Sequence, residues 1–336
     1  MTFCTRLRIA AAFGVLLIAA RPSAGQAIEV VGSRALGMGG AFVAVASDSS
    51  ATWWNPAGLA AGPFVDVALA RATTERRESV PEWRERASWF AIAAPMVGFS
   101  YYRLQLTDIR PFDPTAATAE GREDRAVGVG VRSASIAQFG LTLLQTLLPG
   151  VHAGTTIKYV SGTVGTGTQG PDVSNGDLFE VGEGLEGETV HRYVDFDAGV
   201  LAVAGPIRLG AVVRNLRAPE FGEGIELSRQ VRFGAAIDFA EANGVPFLAA
   251  TDVDLKQYET VSGPRRAVAV GAEQWFSNRR VGVRGGARVN TVGGKERSAT
   301  LGVSVAPRAG MFVEGHWVRG GAPDERGWGA AVRVSF

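Results

Sequence analysis

The chain ends on WGAAVRVSF, residues 328–336, and the alternation within that stretch decides the fold. Successive side chains of a β-strand point to opposite faces. Trp328, Ala330, Val332, Val334 and Phe336 therefore share one face, while Gly329, Ala331, Arg333 and Ser335 share the other. One face is apolar and the other is small or charged. The same division recurs upstream. In VRFGAAIDF, residues 231–239, Val231, Phe233, Ala235, Ile237 and Phe239 alternate with Arg232, Gly234, Ala236 and Asp238. FLAATDVDLK, residues 247–256, sets Phe247, Ala249, Thr251, Val253 and Leu255 against Leu248, Ala250, Asp252, Asp254 and Lys256. Val281, Val283, Ala287 and Val289 alternate with Gly282, Arg284, Gly286 and Arg288 in the same way.

Working outward from these segments gives candidate strands at about 64–73, 86–95, 97–107, 125–147, 150–164, 191–204, 206–216, 227–239, 246–257, 265–276, 279–290, 297–306, 309–319 and 327–336. Most are near the 9–11 residues that a tilted strand needs to cross a bilayer. A soluble sandwich would alternate too, so the connections decide. One set is mostly long and polar: TTERRESVPEWRER, TDIRPFDPTAATAEGRED, the Gly-rich acidic stretch 165–189, RAPEFGEGIE, YETVSGPRR, TVGGKER and RGGAPDERG. The other set is mostly short: residues 95–96, 149–150, 205–206, 277–278 and 307–308, with AEANG the longest. Short turns at one end and long loops at the other describe an all-β, transmembrane antiparallel β-barrel of about 14 strands, with both ends periplasmic. A sheet in hydrocarbon must close on itself because lipid offers backbone groups no hydrogen bonds.

Composition agrees. The chain has 44 glycines among 336 residues, well above the usual level of about 7 per cent, which argues against a helical protein. A formal net charge of +1 gives no nucleic-acid footprint and no polybasic membrane patch. At the N-terminus, basic MTFCTRLR precedes IAAAFGVLLIAA, residues 9–20, a run too short to span a bilayer as a helix. With Gly25-Gln26-Ala27 behind it, residues 1–27 read as a signal peptide cut after Ala27, which sends the chain to the outer membrane of a Gram-negative-type cell. The one cysteine, Cys4, would leave with it, so no disulfide or thiolate metal site is expected.

The lumen-facing register collects Asp195, Asp197, Arg208, Arg214, Arg232, Asp238, Asp252, Asp254, Lys256, Glu273, Arg284, Arg288, Glu314, His316 and Arg333. Opposite signs fall on consecutive strands, which reads as a satisfied polar lumen. Trp89, Phe90, Tyr101, Tyr102, Trp275, Phe276, Trp317, Trp328 and Phe336 are candidates for aromatic girdles at the membrane interfaces. Val332, Val334 and Phe336, at spacing two, resemble the C-terminal signal by which the barrel-assembly machinery recognises its clients. Chemistry is sparse. His152, His191 and His316 stand in separate elements without metal-ligand spacing, no G-x-S-x-G elbow occurs, and GMGGAF completes neither a dinucleotide nor a phosphate loop. No metal, no cofactor and no enzyme activity are expected; the one alternative, a His316–Glu314 acid/base pair, reads better as wall.

One segment remains. GSRALGMGGAFVAVASDSSATWWNPAGLA, residues 32–60, is thin, nearly uncharged and turn-rich. Its Arg34, Ala35, Gly37, Met38, Gly39, Gly40, Ala41, Ala44, Asp48 and Asn55-Pro56-Ala57-Gly58-Leu59, followed by HAGTTIKYVSG (152–162) and VVRNLRAP (212–219), resemble the FadL superfamily of outer-membrane proteins, and within it the PorV/PorQ-like branch. The resemblance implies that residues 28–62 form a hatch inside a barrel of residues 63–336; from their own chemistry, Gly37, Gly39, Gly40, Trp53, Trp54, Asn55 and Pro56 are its expected gate. The resemblance also implies passive uptake of hydrophobic small molecules, long-chain fatty acids among them. The second function it implies is that of a PorV-like component of type IX secretion, whose partners are secretion-system proteins and not a hydrophobic ligand.

Overall fold

A computed structural model of the chain describes residues 25–26, 31–77, 81–111, 128–170, 173–222, 224–321 and 325–336. Among them, β1 (Asp66–Arg76), β2 (Glu82–Ala94), β3 (Val97–Pro111), β4 (Val129–Leu148) and β5 (Val151–Gln169) run consecutively. They are followed by β6 (His191–Ala204), β7 (Ile207–Arg214), β8 (Gln230–Asp238), β9 (Phe247–Asp254) and β10 (Ala267–Phe276). The last four are β11 (Val281–Asn290), β12 (Arg297–Arg308), β13 (Met311–Gly320) and β14 (Glu325–Ser335). Each pairs antiparallel with its chain neighbours, and β14 returns to β1 along a ladder from Glu325–Arg76 to Ser335–Asp66. The sheet is a closed barrel. The strand count and order are those that the alternation and loop lengths predict.

Two expectations are corrected. The first long loop is only residues 77–81, because β1 and β2 continue through TTER and WRER as a regular ladder down to Arg76–Trp83. Beyond the hydrocarbon both faces of a strand can be polar, so its charge does not end it. The aromatic girdles are also thinner than expected. Trp89, Tyr102 and Trp275 are buried inside, whereas Phe90, Phe276, Trp317, Trp328 and Phe336 are exposed outside. Neighbours on a strand face opposite ways, so of Trp89-Phe90 and Trp275-Phe276 only one member of each can meet lipid.

β4 and β5, at 20 and 19 residues, exceed what a bilayer crossing needs and rise beyond it at the long-loop end. There, α3 (Asn175–Glu183), following α1 (Ser33–Gly37) and α2 (Ala51–Trp54), packs on the outside of the barrel, with Leu178 and Phe179 against Ile109 and Val131. At the opposite end α4 (Phe239–Asn243) makes the β8–β9 turn, closed by Gly244 at φ 78°. Phe336 seals the seam: its N–H donates to the Val65 carbonyl at 2.9 Å. Most of the presumed leader lies outside the described residues; within it, Gly25–Gln26 pairs in parallel with Glu226–Leu227.

Candidate functional site

From Val31 to Leu59 the chain is almost wholly buried inside the barrel. Its local shape follows from its residues. Gly39 and Gly40, at φ 71° and 84°, turn the chain after α1. Asn55 caps the 3₁₀ turn Pro56–Ala61 by accepting from the Ala57 N–H at 3.1 Å, and its amide donates to the carbonyls of Val43 at 2.8 Å and Val200 at 3.1 Å. One side chain thus ties two parts of the hatch to the wall strand β6.

The wall receives this segment on a spiral of glycines. Gly302 on β12 faces Gly37, Gly271 on β10 and Gly286 on β11 face Met38, Gly234 on β8 and Gly210 on β7 face Val43, and Gly199 on β6 faces Asn55. A methyl group on Gly210 would lie 2.6 Å from the Val43 carbonyl oxygen, and one on Gly271 2.8 Å from Met38 Cβ. Backbone therefore packs on backbone. The alternation places Gly234 and Gly286 on the inward face, but nothing local shows that these positions must be bare.

Charge secures one side of the hatch. Arg34 on α1 donates to both carboxylate oxygens of Glu273, at 2.8 and 2.9 Å, and to Ser47 Oγ at 2.9 Å. Burial alone would lower the Arg34 pKa, but Glu273 and Asp48 outweigh it and hold the guanidinium above its ordinary value. Arg284 donates to the same Glu273 at 2.6 Å and to Ser304 at 2.7 Å, Ser304 donates to Glu314 at 3.1 Å, and Arg333 bridges Glu314 and Asp66 at 3.2 and 3.1 Å. Asp66 then accepts from the Ser49 N–H of the hatch at 2.7 Å. Three guanidiniums and their carboxylates thus form one chain that starts and ends on the hatch. Further round, the carboxylate of Asp252 accepts from the Phe42 and Val43 N–H groups at 2.8 and 2.9 Å.

The remaining lumen residues fall where the register puts them. Arg232 pairs with Asp254 at 2.7 Å, Arg288 with Glu325 and with Ser298 at 3.0 Å, and Arg214 stacks on Trp53 with its guanidinium carbon 4.0 Å from the ring centre. Lys158, which sequence reading passed over, joins Asp197 at 2.7 Å and Asp195 at 3.0 Å. Lys256 lies beyond β9 and is exposed. Among the described residues His316 is buried without a hydrogen-bond partner on either ring nitrogen, and Glu314 is engaged by Arg333 and Ser304, so no acid/base pair is seen between them.

The opposite side differs. On β2–β5 the inner wall includes Trp89, Tyr102, Leu104, Leu106, Ala134, Ile136 and Val160, all buried, beside the Arg132–Asp108 ion pair at 2.7 Å and Lys158. Trp53 of the hatch lies 4.8 Å from the Tyr102 ring, Tyr102 lies 5.8 Å from Trp89, and Thr52 Oγ1 and Tyr102 Oη share a hydrogen bond of 2.6 Å. Trp54 donates its indole N–H to the Val31 carbonyl at 2.9 Å and packs edge-on against Phe42. The hatch thus rests on aromatic and aliphatic surface here and on ion pairs across the lumen.

No protein-family model and no curated protein matches the chain. Solved structures do. It is similar to the toluene transporter TbuX of Ralstonia pickettii, at 14% identity over 92% of this chain and 99% of that one, with a TM-score of 0.62. Similar too are the CymD monoaromatic hydrocarbon channel, at 11% identity over 91% and 98% with a TM-score of 0.60, and the toluene transporter TodX of Pseudomonas putida, at 12% over 93% and 98% with a TM-score of 0.57. At these identities the likeness is one of fold: a closed 14-strand barrel.

Proposed function

We propose that this protein passes small hydrophobic molecules across the outer membrane by passive uptake, with the hatch as the closure of the barrel. The observation that supports this most is the uneven inner wall. An apolar solute has a surface to follow on β2–β5, from Leu106 past Leu104 and Ile136 to the Trp89–Tyr102–Trp53 cluster, while the ion pair that Arg34 of the hatch makes with Glu273 stands on the far side. Apolar surface lined with a few oriented polar groups is what a hydrophobic ligand needs. Planar rings of monoaromatic size suit the aromatic cluster better than a long acyl chain does, because offset or edge contacts with aromatic side chains stabilise them beyond area alone. The toluene and monoaromatic-hydrocarbon neighbours agree with that size class. The PorV-like secretion reading has the N-terminal motif and the charged loops in its favour, and no feature of the lumen adds to it.

Cells that lack their own hydrocarbon and fatty-acid channels, expressing this chain, are expected to accumulate labelled toluene well above vector controls and labelled oleate less so. Background uptake of both, with the barrel present in the outer membrane, overturns the proposal. A cargo-protein export defect on deletion in the native cell, with uptake unchanged, would favour secretion.

A further inference from the structure

We infer that the hairpin of Tyr258–Thr260 and Gly263–Arg265 is an outer gate, a strap laid across the long-loop mouth of the barrel that swings aside to admit a solute. Its course follows from the topology. The two short strands pair antiparallel in the connection between β9 and β10, outside the barrel sheet. At the tip, Ser262 Oγ accepts from the indole N–H of Trp83 at 2.7 Å. Trp83 is buried on the inward face of β2, and as many strands separate β2 from β9 on one side, β10–β14 and β1, as on the other, β3–β8. A connection rooted on one side of the ring that touches the inner face of the opposite wall has crossed the lumen.

The strap is built as a flap. Within it, Thr260 Oγ1 donates to the Gly263 carbonyl at 2.8 Å and accepts from the Ser262 N–H at 3.2 Å, and Gly263 supplies the φ of 105° that the turn requires. The hairpin therefore keeps its shape without help from the far wall. Its roots, Leu255, Lys256 and Gln257 on one side and Arg266 on the other, are exposed. Its underside is apolar: Tyr258 is buried, and Val261 packs onto the cluster that contains Leu104, Leu106 and Ile136. Phe221, Ile225 and Leu227, from the connection after β7, belong to the same cluster. An apolar solute arriving under the strap replaces such contacts with contacts of its own kind, at little cost.

The landing is set by the wall. The Arg76 guanidinium lies over the Trp83 ring at 5.3 Å, and Glu296 accepts from Arg76 at 2.8 Å, which fixes the indole on which the tip docks. Nearer the roots, Tyr258 Oη donates to Asp254 at 3.3 Å and Asn290 donates to the Pro264 carbonyl at 3.1 Å. Held in this way, the strap turns on its β9–β10 side and releases at Trp83. Two strands about 5 Å apart cross the mouth without filling it, so the ion seal stays with the hatch. The nature of the solute rests on the uptake proposed above; the motion of the strap is measurable without it.

In a Cys4→Ser background, the assembled Trp83→Cys/Ser262→Cys barrel is joined across its mouth by a short bismaleimide whose linker a reductant cleaves. Toluene uptake is expected to fall at least ten-fold on joining and to return on cleavage. Uptake by the joined barrel at the rate of the unjoined one overturns the inference. A second measurement involves no transport. Leu106→Cys, on the apolar wall beneath the strap, is expected to react with a small impermeant thiol reagent added outside at least ten-fold faster when residues 259–264 are replaced by an Asn-Gly turn, with ion conductance still at its sealed level. Equal reaction rates overturn the inference whether or not toluene is taken up, whereas background toluene uptake with the faster reaction retains the strap and removes only the uptake reading. Should the shortened barrel not fold, as read by heat-modifiable migration on a gel, Ser262→Ala, which removes the acceptor at the tip, takes its place: a several-fold faster reaction is expected, and no change overturns the inference.

Discussion

The two halves of the lumen hold the same hatch by different means. On β8–β14 and the start of β1 it meets bare glycine backbone and buried charge: Arg34 on Glu273, Phe42 and Val43 on Asp252, and Ser49 on Asp66. On β2–β4 it meets Tyr102, Trp89 and a run of aliphatic side chains, with the Thr52–Tyr102 hydrogen bond as a polar contact. Ion pairs in a water-poor lumen are directional and costly to leave half-made, whereas an apolar contact can slide or be replaced by an apolar solute at little cost. Under the proposed uptake, the charged side would serve as the hinge side and the apolar side as the one that parts, letting a small hydrophobic molecule by without opening the barrel to ions.

The largest test of that picture removes the hatch. Deleting residues 37–58 takes out the Gly37–Gly302 contact, the Asp252 acceptor bonds and the aromatic contact together, and is expected to turn a sealed barrel into a steadily conducting one in a planar bilayer. Unchanged conductance would mean that the lumen is closed by something else. Next in size is Glu273→Ala. It strips Arg34 and Arg284 of their shared carboxylate, and removing one partner from a buried ion pair costs about 3–5 kcal/mol. The barrel should remain in the membrane, lose thermal stability and flicker between closed and conducting states. A variant as tight as wild type would show that the glycine contacts alone hold the hinge.

How much of this was legible in the sequence depends on the range of the interactions. Alternation is local, so residues such as Arg232, Asp252 and Arg333 could be assigned to the lumen from a few neighbours each. The hatch was legible from its motif of glycines, Asn55 and Pro56. Which wall residue meets which hatch residue was not. Gly210, Gly234, Gly271, Gly286 and Gly302 come together only because closure of the barrel stacks five separate strands around one segment, and a glycine at each reads simply as small. Asp66 was hidden for a related reason, since it lies at a strand start, and only its bonds from Arg333 and from the Ser49 N–H show what it does. The ends of β1 and β2 were read as loop because charge on both faces of a strand has no explanation until the strand is known to rise past the bilayer.

On the apolar side, Ile136→Asn places an amide on the proposed path. A buried polar group without a partner costs about 1–3 kcal/mol in proteins, and the same penalty falls on a hydrocarbon that must slide past it. Toluene uptake is expected to fall several-fold while ion conductance stays at its sealed level. If uptake is untouched, the solute does not follow this wall.

The smallest change bears most directly on which side moves. Tyr102→Phe keeps the ring that stacks on Trp53 and Trp89 and deletes only the hydroxyl shared with Thr52. Thr52 still donates to the Ser49 carbonyl at 2.8 Å, so no buried donor is stranded. The loss is that of one neutral hydrogen bond, about 0.5–1.5 kcal/mol, which loosens this edge of the hatch by roughly two- to ten-fold. If the apolar side parts during passage, hydrocarbon uptake should rise by a factor within that range, with conductance and thermal stability scarcely altered, because every ion pair of the hinge is intact. An uptake rate equal to wild type would mean that this contact is not broken on the way through, and the roles of the two sides would have to be exchanged.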